Sequence, residues 1–257
     1  MATNNNAPTL SILLPVRNEG INIELMVKIL SAVLTIPHEI LFIYDHPNDD
    51  SLPVIRSLSA KKLHVKPVLN KLGRGVINAI KTGVNHAQGK YILLLAVDDV
   101  GPTLAIEDMV YLMDKGCDLI SCTRYAHGGR RLGGSAVESI VSNVGNKLFR
   151  VLCGSVFSDS TTGFKMFRRD IFEKIKLESK PIGWAVVFEL AVKAQAQGFK
   201  LGEVPIISID RLYGGKSTFF LGPWFREYIK WFVYGMVHLH NGKKTKLRVR
   251  IPKVTAD

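Results

Sequence analysis

The chain has 257 residues, of which 47% are hydrophobic and 22% charged, a balance normal for a self-folding globular protein with a sizeable core. Its 34 Lys and Arg against 22 Asp and Glu give a formal charge of +12, which points to an anionic partner: nucleic acid, a phosphorylated substrate or an anionic membrane face. The three cysteines, Cys117, Cys122 and Cys153, lack C-x-x-C spacing and are odd in number, which excludes a fully paired disulfide framework and fits a reducing cytosol.

Along the chain, short apolar runs alternate with helical patterns, the signature of α/β architecture with a mostly parallel sheet. The opening MATNNNAP has no basic start and apolar run of the signal-peptide kind. Strands are expected at 10–16, 39–44, 64–69, 91–97 and 119–123, with helices at 23–34, 76–87 and 104–115. The unbroken run ILLLAV from Ile92 reads as a strand covered by helices on both faces. In the second half, AHGGRRLGGS at 126–135 reads as a mobile loop, helices are expected at 137–152 and 184–197, and a strand near 201–209. A last helix runs from Pro223 to about 240. Within it Trp231 to Val237 is the longest apolar run of this region, far short of the ~20 residues a spanning helix needs. The expected division is 1–220 as the main domain and 221–257 as an amphipathic helix with a basic tail.

Two strands end on acid. Asp45 follows FIY, and Asp98 with Asp99 follows LLLAV. Ligands of open α/β sheets sit outside the carboxyl ends of the strands, so these carboxylates are expected at one shared crevice. There they suit a hard divalent cation held together with substrate phosphates. Aspartate before Gly-Pro also serves turns and helix caps, and that reading stays open.

Several segments occur in an order that resembles glycosyltransferase family 2. They are SILLPVRNEG, FIYDHPNDDS, LNKLGRGVINAIKTGVNHAQGKYILLLAVDD, CTRYAHGG, SDSTTGFKMFRR, GWAVVFELAVKAQAQGFKLGEVPI and DRLYGGKSTF. The likeness covers about Leu10 to Phe219 and is strongest to the members that charge polyprenyl or dolichyl phosphates. It implies a GT-A fold, a Rossmann-like, mostly parallel sheet flanked by helices. The implied activity is inverting transfer of a hexose from a GDP- or UDP-sugar, with Mg2+ or Mn2+ as cofactor.

Residue by residue, the resemblance puts Pro15, Arg17, Asn18, Glu19 and Asp45 at the nucleotide, with Asp49 also on a matching position. Lys71, Gly73 and Arg74 lead into a helix N-terminus, where unpaired N–H groups favour a diphosphate. Asp98 and Asp99 take the metal position, although Ala96 or Val97 stands where the family has its first acid, and Tyr44 stands where another Asp is expected. Asp159 matches the carboxylate proposed as base or acceptor-orienting group, with Glu189 as the other candidate base. Arg124 matches the arginine that binds acceptor phosphate, and Arg211, Gly215, Lys216 and Ser217 match a loop closing over the donor. Arg130 and Arg131 are further candidates for a phosphate clamp. The family commonly has an arginine four residues before a serine, where this chain has Glu138 before Ser142.

The expected partners are therefore a nucleotide diphosphate sugar, a polyprenyl phosphate or glycan acceptor, and an anionic membrane surface read by the last helix and GKKTKLRVRIPK. The expected location is the cytoplasm, peripheral at the inner membrane face; a homo-oligomer stays open. The alternatives are a soluble saccharide or hydroxyl acceptor, or a non-catalytic basic binding protein. No recognition-helix or RNP-type signature supports a nucleic-acid partner.

Overall fold

The computed structural model describes residues 7–61, 63–133, 135–209, 221–239 and 245–252. The first half runs β1 (Leu10–Pro15), α1 (Gly20–Val33), β2 (His38–Tyr44), α2 (Ser51–Ala60), β3 (Val65–Leu69), α3 (Val76–His86) and β4 (Tyr91–Leu94). A 3-10 turn at Gly101–Ala105 then leads into α4 (Ile106–Asp114) and β5 (Leu119–Thr123). The second half contains β6 (Arg130–Leu132), α5 (Ala136–Cys153), β7 (Lys165–Arg168), α6 (Arg169–Lys174), α7 (Ala185–Ala196), β8 (Leu201–Pro205), β9 (Ile207–Ile209), α8 (Leu221–His238) and β10 (Arg248–Val249).

Eight strands form one sheet in the order β10-β8-β5-β7-β4-β1-β2-β3. All pairs are parallel except those of β7, which runs antiparallel to both β4 and β5. Because a strand alternates its side chains between faces, Leu10, Ile12 and Leu14 join the core under α1 and α4, whereas Leu13 joins the core under α3 and α7. Burying both faces explains why β4 is an unbroken run without charge and why β1 is apolar apart from Ser11, whose hydroxyl donates to Glu39. Each fully buried Leu or Ile contributes about 1.5–3 kcal/mol, so this double layer makes a rigid platform.

Three sequence expectations change. The 126–135 segment holds a strand, β6, paired with β9. Helix α2 and strand β7 lie where no element was expected. The C-terminal segment, drawn as a separate piece, contributes to the main body: α8 buries Trp231 against α5 and α7, and β10 extends the sheet beside β8. Glu227 of α8 is buried and accepts a hydrogen bond from the Lys180 N–H.

Candidate active site

Since β1, β2, β4 and β5 run the same way, their carboxyl ends meet one edge of the sheet, and antiparallel β7 begins there. The β1–α1 turn is clamped by the β2–α2 turn. Asp49 Oδ1 accepts from the Asn18 N–H at 3.0 Å and the Ser51 N–H at 2.9 Å, Ser51 Oγ from the Glu19 N–H, and Asp50 Oδ1 from the Gly20 N–H. These carboxylates and the hydroxyl satisfy N–H groups that the start of α1 would otherwise leave open. Asn18 is held at φ 55°, and Arg17 reaches Asp45 at 3.9 Å. Asp49 Oδ2 is buried with no hydrogen-bond partner. Asn18 and Glu19 thus shape the turn through their backbones, and Asp49 presents the orphaned acceptor.

Next to it, at the end of β3, Lys71, Gly73 and Arg74 are exposed. Asn70 and Asn78 hold their loop: both side-chain amides donate to the Gly73 carbonyl. Gly75 has φ 125°, and a Cβ there would stand 2.5 Å from Pro181, so only glycine fits before α3.

Beyond β4, the two aspartates have different environments. Asp99 is buried; its carboxylate accepts from the Ser208 hydroxyl and, at 2.8 Å, from the Ile209 N–H. It straps β9 to the tip of β4. Asp99, expected at the metal with Asp98, thus has a structural role through both its oxygens. Asp98 is half-buried at the rim. Among the described residues no cluster of three His, Cys, Asp or Glu could cage a metal. The donor set fits Mg2+ or Mn2+ only where diphosphate oxygens complete the shell around Asp98.

On the other side of β7, Arg124 follows β5 and meets Asp159 with Nε at 2.7 Å and a terminal nitrogen at 3.1 Å. Asp159 is wholly buried. Burial alone would raise its pKa, but the Arg124 charge and hydrogen bonds hold it below the usual carboxylate value. Ser142 Oγ and Thr161 Oγ1 lie 3.4 Å from Arg124. Asn146, on the inner face of α5, donates to Thr161 and Asp159 and accepts from the Ser160 N–H at 2.8 Å. Glu203 accepts from the Ser158 N–H and hydroxyl, and its pKa is raised by burial. Buried Lys165 donates to Ser121 at 2.8 Å; burial lowers its pKa to about 8. Next to Arg124, the Tyr125 hydroxyl is buried without a partner.

This network tells against Asp159 as a base: its lone pairs are occupied and its proton affinity is low. It suits Asp159 to orienting Arg124. Glu189, the other candidate, is buried in α7, where it accepts from the Glu178 and Ser179 N–H groups and pairs with Lys193 at 2.7 Å. Arg131 reaches Glu138 at 3.6 Å, while Arg130 is exposed. Arg211, Gly215, Lys216 and Ser217 lie outside the described residues. The sequence reading missed Asn146, Lys165 and Glu203; Lys165 sits in SDSTTGFKMFRR and Glu203 in GEVPI, segments already singled out.

The profile of glycosyl transferase family 2 matches residues 11–176, more than half of the chain. This chain belongs to glycosyl transferase family 2. Dolichol-phosphate mannosyltransferase of Pyrococcus furiosus is 25% identical over 217 residues, 81% of this chain and 60% of that relative. Polyprenol monophosphomannose synthase of Mycolicibacterium smegmatis is 28% identical over 212 residues, 79% and 78% of the two chains. This chain thus spans less than two thirds of the archaeal relative. The fold is that of glucosyl-3-phosphoglycerate synthase from Mycobacterium tuberculosis, solved with Mn2+, UDP and glucosyl-3-phosphoglycerate. The TM-score is 0.67 at 16% identity, over 90% of this chain and 80% of that one. The family 2 chain described here therefore has the GT-A-like sheet with flanking helices that its sequence implied.

Proposed function

We propose that this family 2 protein is an inverting, nucleotide-sugar-dependent hexosyltransferase that charges a polyprenyl or dolichyl phosphate at the cytoplasmic membrane face. One observation carries the reading: four parallel strands deliver Asp45, the Pro15–Glu19 turn, Asp98 and Arg124 to a single sheet edge. Asp49 Oδ2, buried and unpartnered, supports a donor base or ribose at the β1 and β2 end. Lys71 and Arg74 supply positive charge for the diphosphate. When bound, Mg2+ or Mn2+ would sit against Asp98 and neutralise the departing diphosphate.

In the proposed reaction an oxygen of the acceptor phosphate attacks the anomeric carbon. The bond from that carbon to the diphosphate oxygen breaks, and its electron pair leaves with the nucleotide. An already anionic nucleophile requires no base, which agrees with an Asp159 held in its charged, hydrogen-bonded form. The Arg124 guanidinium would orient the phosphate, and placement in line supplies most of the acceleration.

A second reading keeps the donor and makes the acceptor a soluble hydroxyl. The Arg131–Glu138 pair favours it, since Glu138 puts an acid near the acceptor corner where the family has an arginine. Labelled GDP- and UDP-hexoses with polyprenyl phosphate decide between them. An organic-extractable product is expected; label found only in water-soluble product would overturn the lipid acceptor.

A further inference from the structure

Helix α5 buries Phe149 and Cys153 yet also turns an apolar stripe outward. Its inner face carries Ser142 and Asn146, which touch the Arg124–Asp159 cluster. Its outer face, at spacings of three and four, carries Val137, Ile140, Val144, Leu148 and Val151, exposed by between 49% and 77%. Among the described residues, nothing covers this stripe. A helix that turns an apolar stripe to water along its length marks an interaction surface.

Helix α8 lies beside it, joined by the Phe149 and Phe232 rings at 5.2 Å and by the Cys153 thiol, which donates to the Phe232 carbonyl. On its outward side α8 exposes Phe225, Ile229, Val233 and Met236. The two apolar stripes thus lie on neighbouring, packed helices. Lys147 and Arg150 on α5, and Arg226 and Lys230 on α8, are exposed around them. Neither helix exposes an acid there: Glu227 is buried, and Glu138 is half-buried against Arg131.

We propose that α5 and α8 together form the face by which this protein lies on an anionic lipid surface, with α5 inserted as deeply as α8. This rests on the lipid-acceptor reading above and extends it by giving the surface a location outside the last helix and tail. Charge chooses the occupant. An apolar strip rimmed by Lys and Arg matches acyl chains beneath anionic headgroups. In a two-fold dimer the same rim would face itself and repel. The geometry also serves the site: an α-helix is only about 10–12 Å across with its side chains, so seating the outer face of α5 in the interface brings Ser142 and Arg124 to headgroup depth. A lipid-linked phosphate would then reach the acceptor corner without leaving the membrane surface.

The test is flotation of the full chain with vesicles of phosphatidylcholine alone or with phosphatidylglycerol. The wild type is expected to float with the anionic vesicles. The variant Ile140→Glu/Val144→Glu/Leu148→Glu is expected to lose binding about tenfold or more. Its thermal unfolding, and its binding of GDP or UDP with Mn2+ by calorimetry, should be unchanged, because the altered side chains point away from the site. Undiminished flotation of this variant overturns the proposal. So does a wild-type dimer in size-exclusion chromatography that the variant turns into a monomer while neither form floats. If nucleotide binds and label reaches only soluble acceptors while the α5-dependent flotation persists, the acceptor reading fails and the docking face stands.

Discussion

The Arg124 guanidinium grips the Asp159 carboxylate through two nitrogens, at 2.7 and 3.1 Å, on the β5 side of β7. With Asp159 wholly buried, removing either charge leaves the other desolvated. Asp159→Asn and Arg124→Met are each expected to destabilise the fold by about 3–5 kcal/mol, and the double variant by less than their sum. Transfer by either single variant is expected to fall by roughly 100-fold or more. Urea unfolding and initial-rate measurements check both. Additive stability losses would mean that the pair does not act as a unit.

Lys165 gives the stability of the protein a pH signature. Its pKa is 10.5 in the unfolded chain and about 8 in the folded one, lowered by burial. Between these values the unfolded chain keeps a proton that the folded chain has released, so stability rises with pH across that window. The gain approaches about 3 kcal/mol by pH 10.5. Unfolding free energies at pH 7, 8, 9 and 10 should show this rise in the wild type and its loss in Lys165→Met. Asp159 acts at the other end: its lowered pKa contributes stability above the unfolded value of 3.8, lost as pH falls through the folded value. An acid melt of Asp159→Asn should lack that component.

Adjacent aspartates should separate by phenotype. Asp98→Ala is expected to abolish release of nucleoside diphosphate. Asp99→Ala, which cuts the bonds to Ser208 and Ile209, is expected to lower stability by about 1–3 kcal/mol and to raise KM for the donor. A chelator should reproduce the Asp98→Ala loss in the wild type, with Mn2+ restoring turnover. Full activity in chelator would remove the cation from the donor site.

The parts of the molecule that could be read in advance are those where one local rule acts alone. Strands β1, β2 and β4 announce themselves by apolar runs, because a strand buried on both faces must be apolar along most of its length, and Asp45 and Asp98 are the first charged residues past the runs of β2 and β4. The unread parts are those where tertiary contacts outweigh local chemistry. Strand β7 has only four residues and opens on Lys165, whose charge reads as solvent-facing until Asp159 and Glu203 are seen around it. Asn146 shares the buried side of α5 with Phe149 and Cys153 while apolar residues also line the exposed side, so amphipathic patterning does not single it out. The Asp99 strap joins residues 109 positions apart, and no local pattern encodes that distance. Helix α2 was hidden by Pro53 among turn-forming residues.

Two glycines make opposite predictions. Gly101, in the 3-10 turn after Asp99, packs so tightly on β9 that a Cβ would stand 1.8 Å from the Ile207 carbonyl oxygen, an atom of the backbone that cannot rotate away. Gly101→Ala must therefore push β9 off the sheet edge, taking its partner β6 with it, and is expected to cost about 1–3 kcal/mol. It should also weaken donor binding, since Asp99 loses its hold on Ser208. Gly145, in the middle of α5, has nothing within 4 Å of an added Cβ. There alanine only removes backbone freedom from the unfolded chain, so Gly145→Ala is expected to raise stability by about 0.5–1 kcal/mol and to leave donor affinity alone. Thermal melts with and without GDP or UDP check both at once: the Gly101 variant should lose most of the nucleotide-induced rise in Tm, and the Gly145 variant should keep it. A Gly101→Ala protein that melts and binds like the wild type would show that β9 does not brace the donor site.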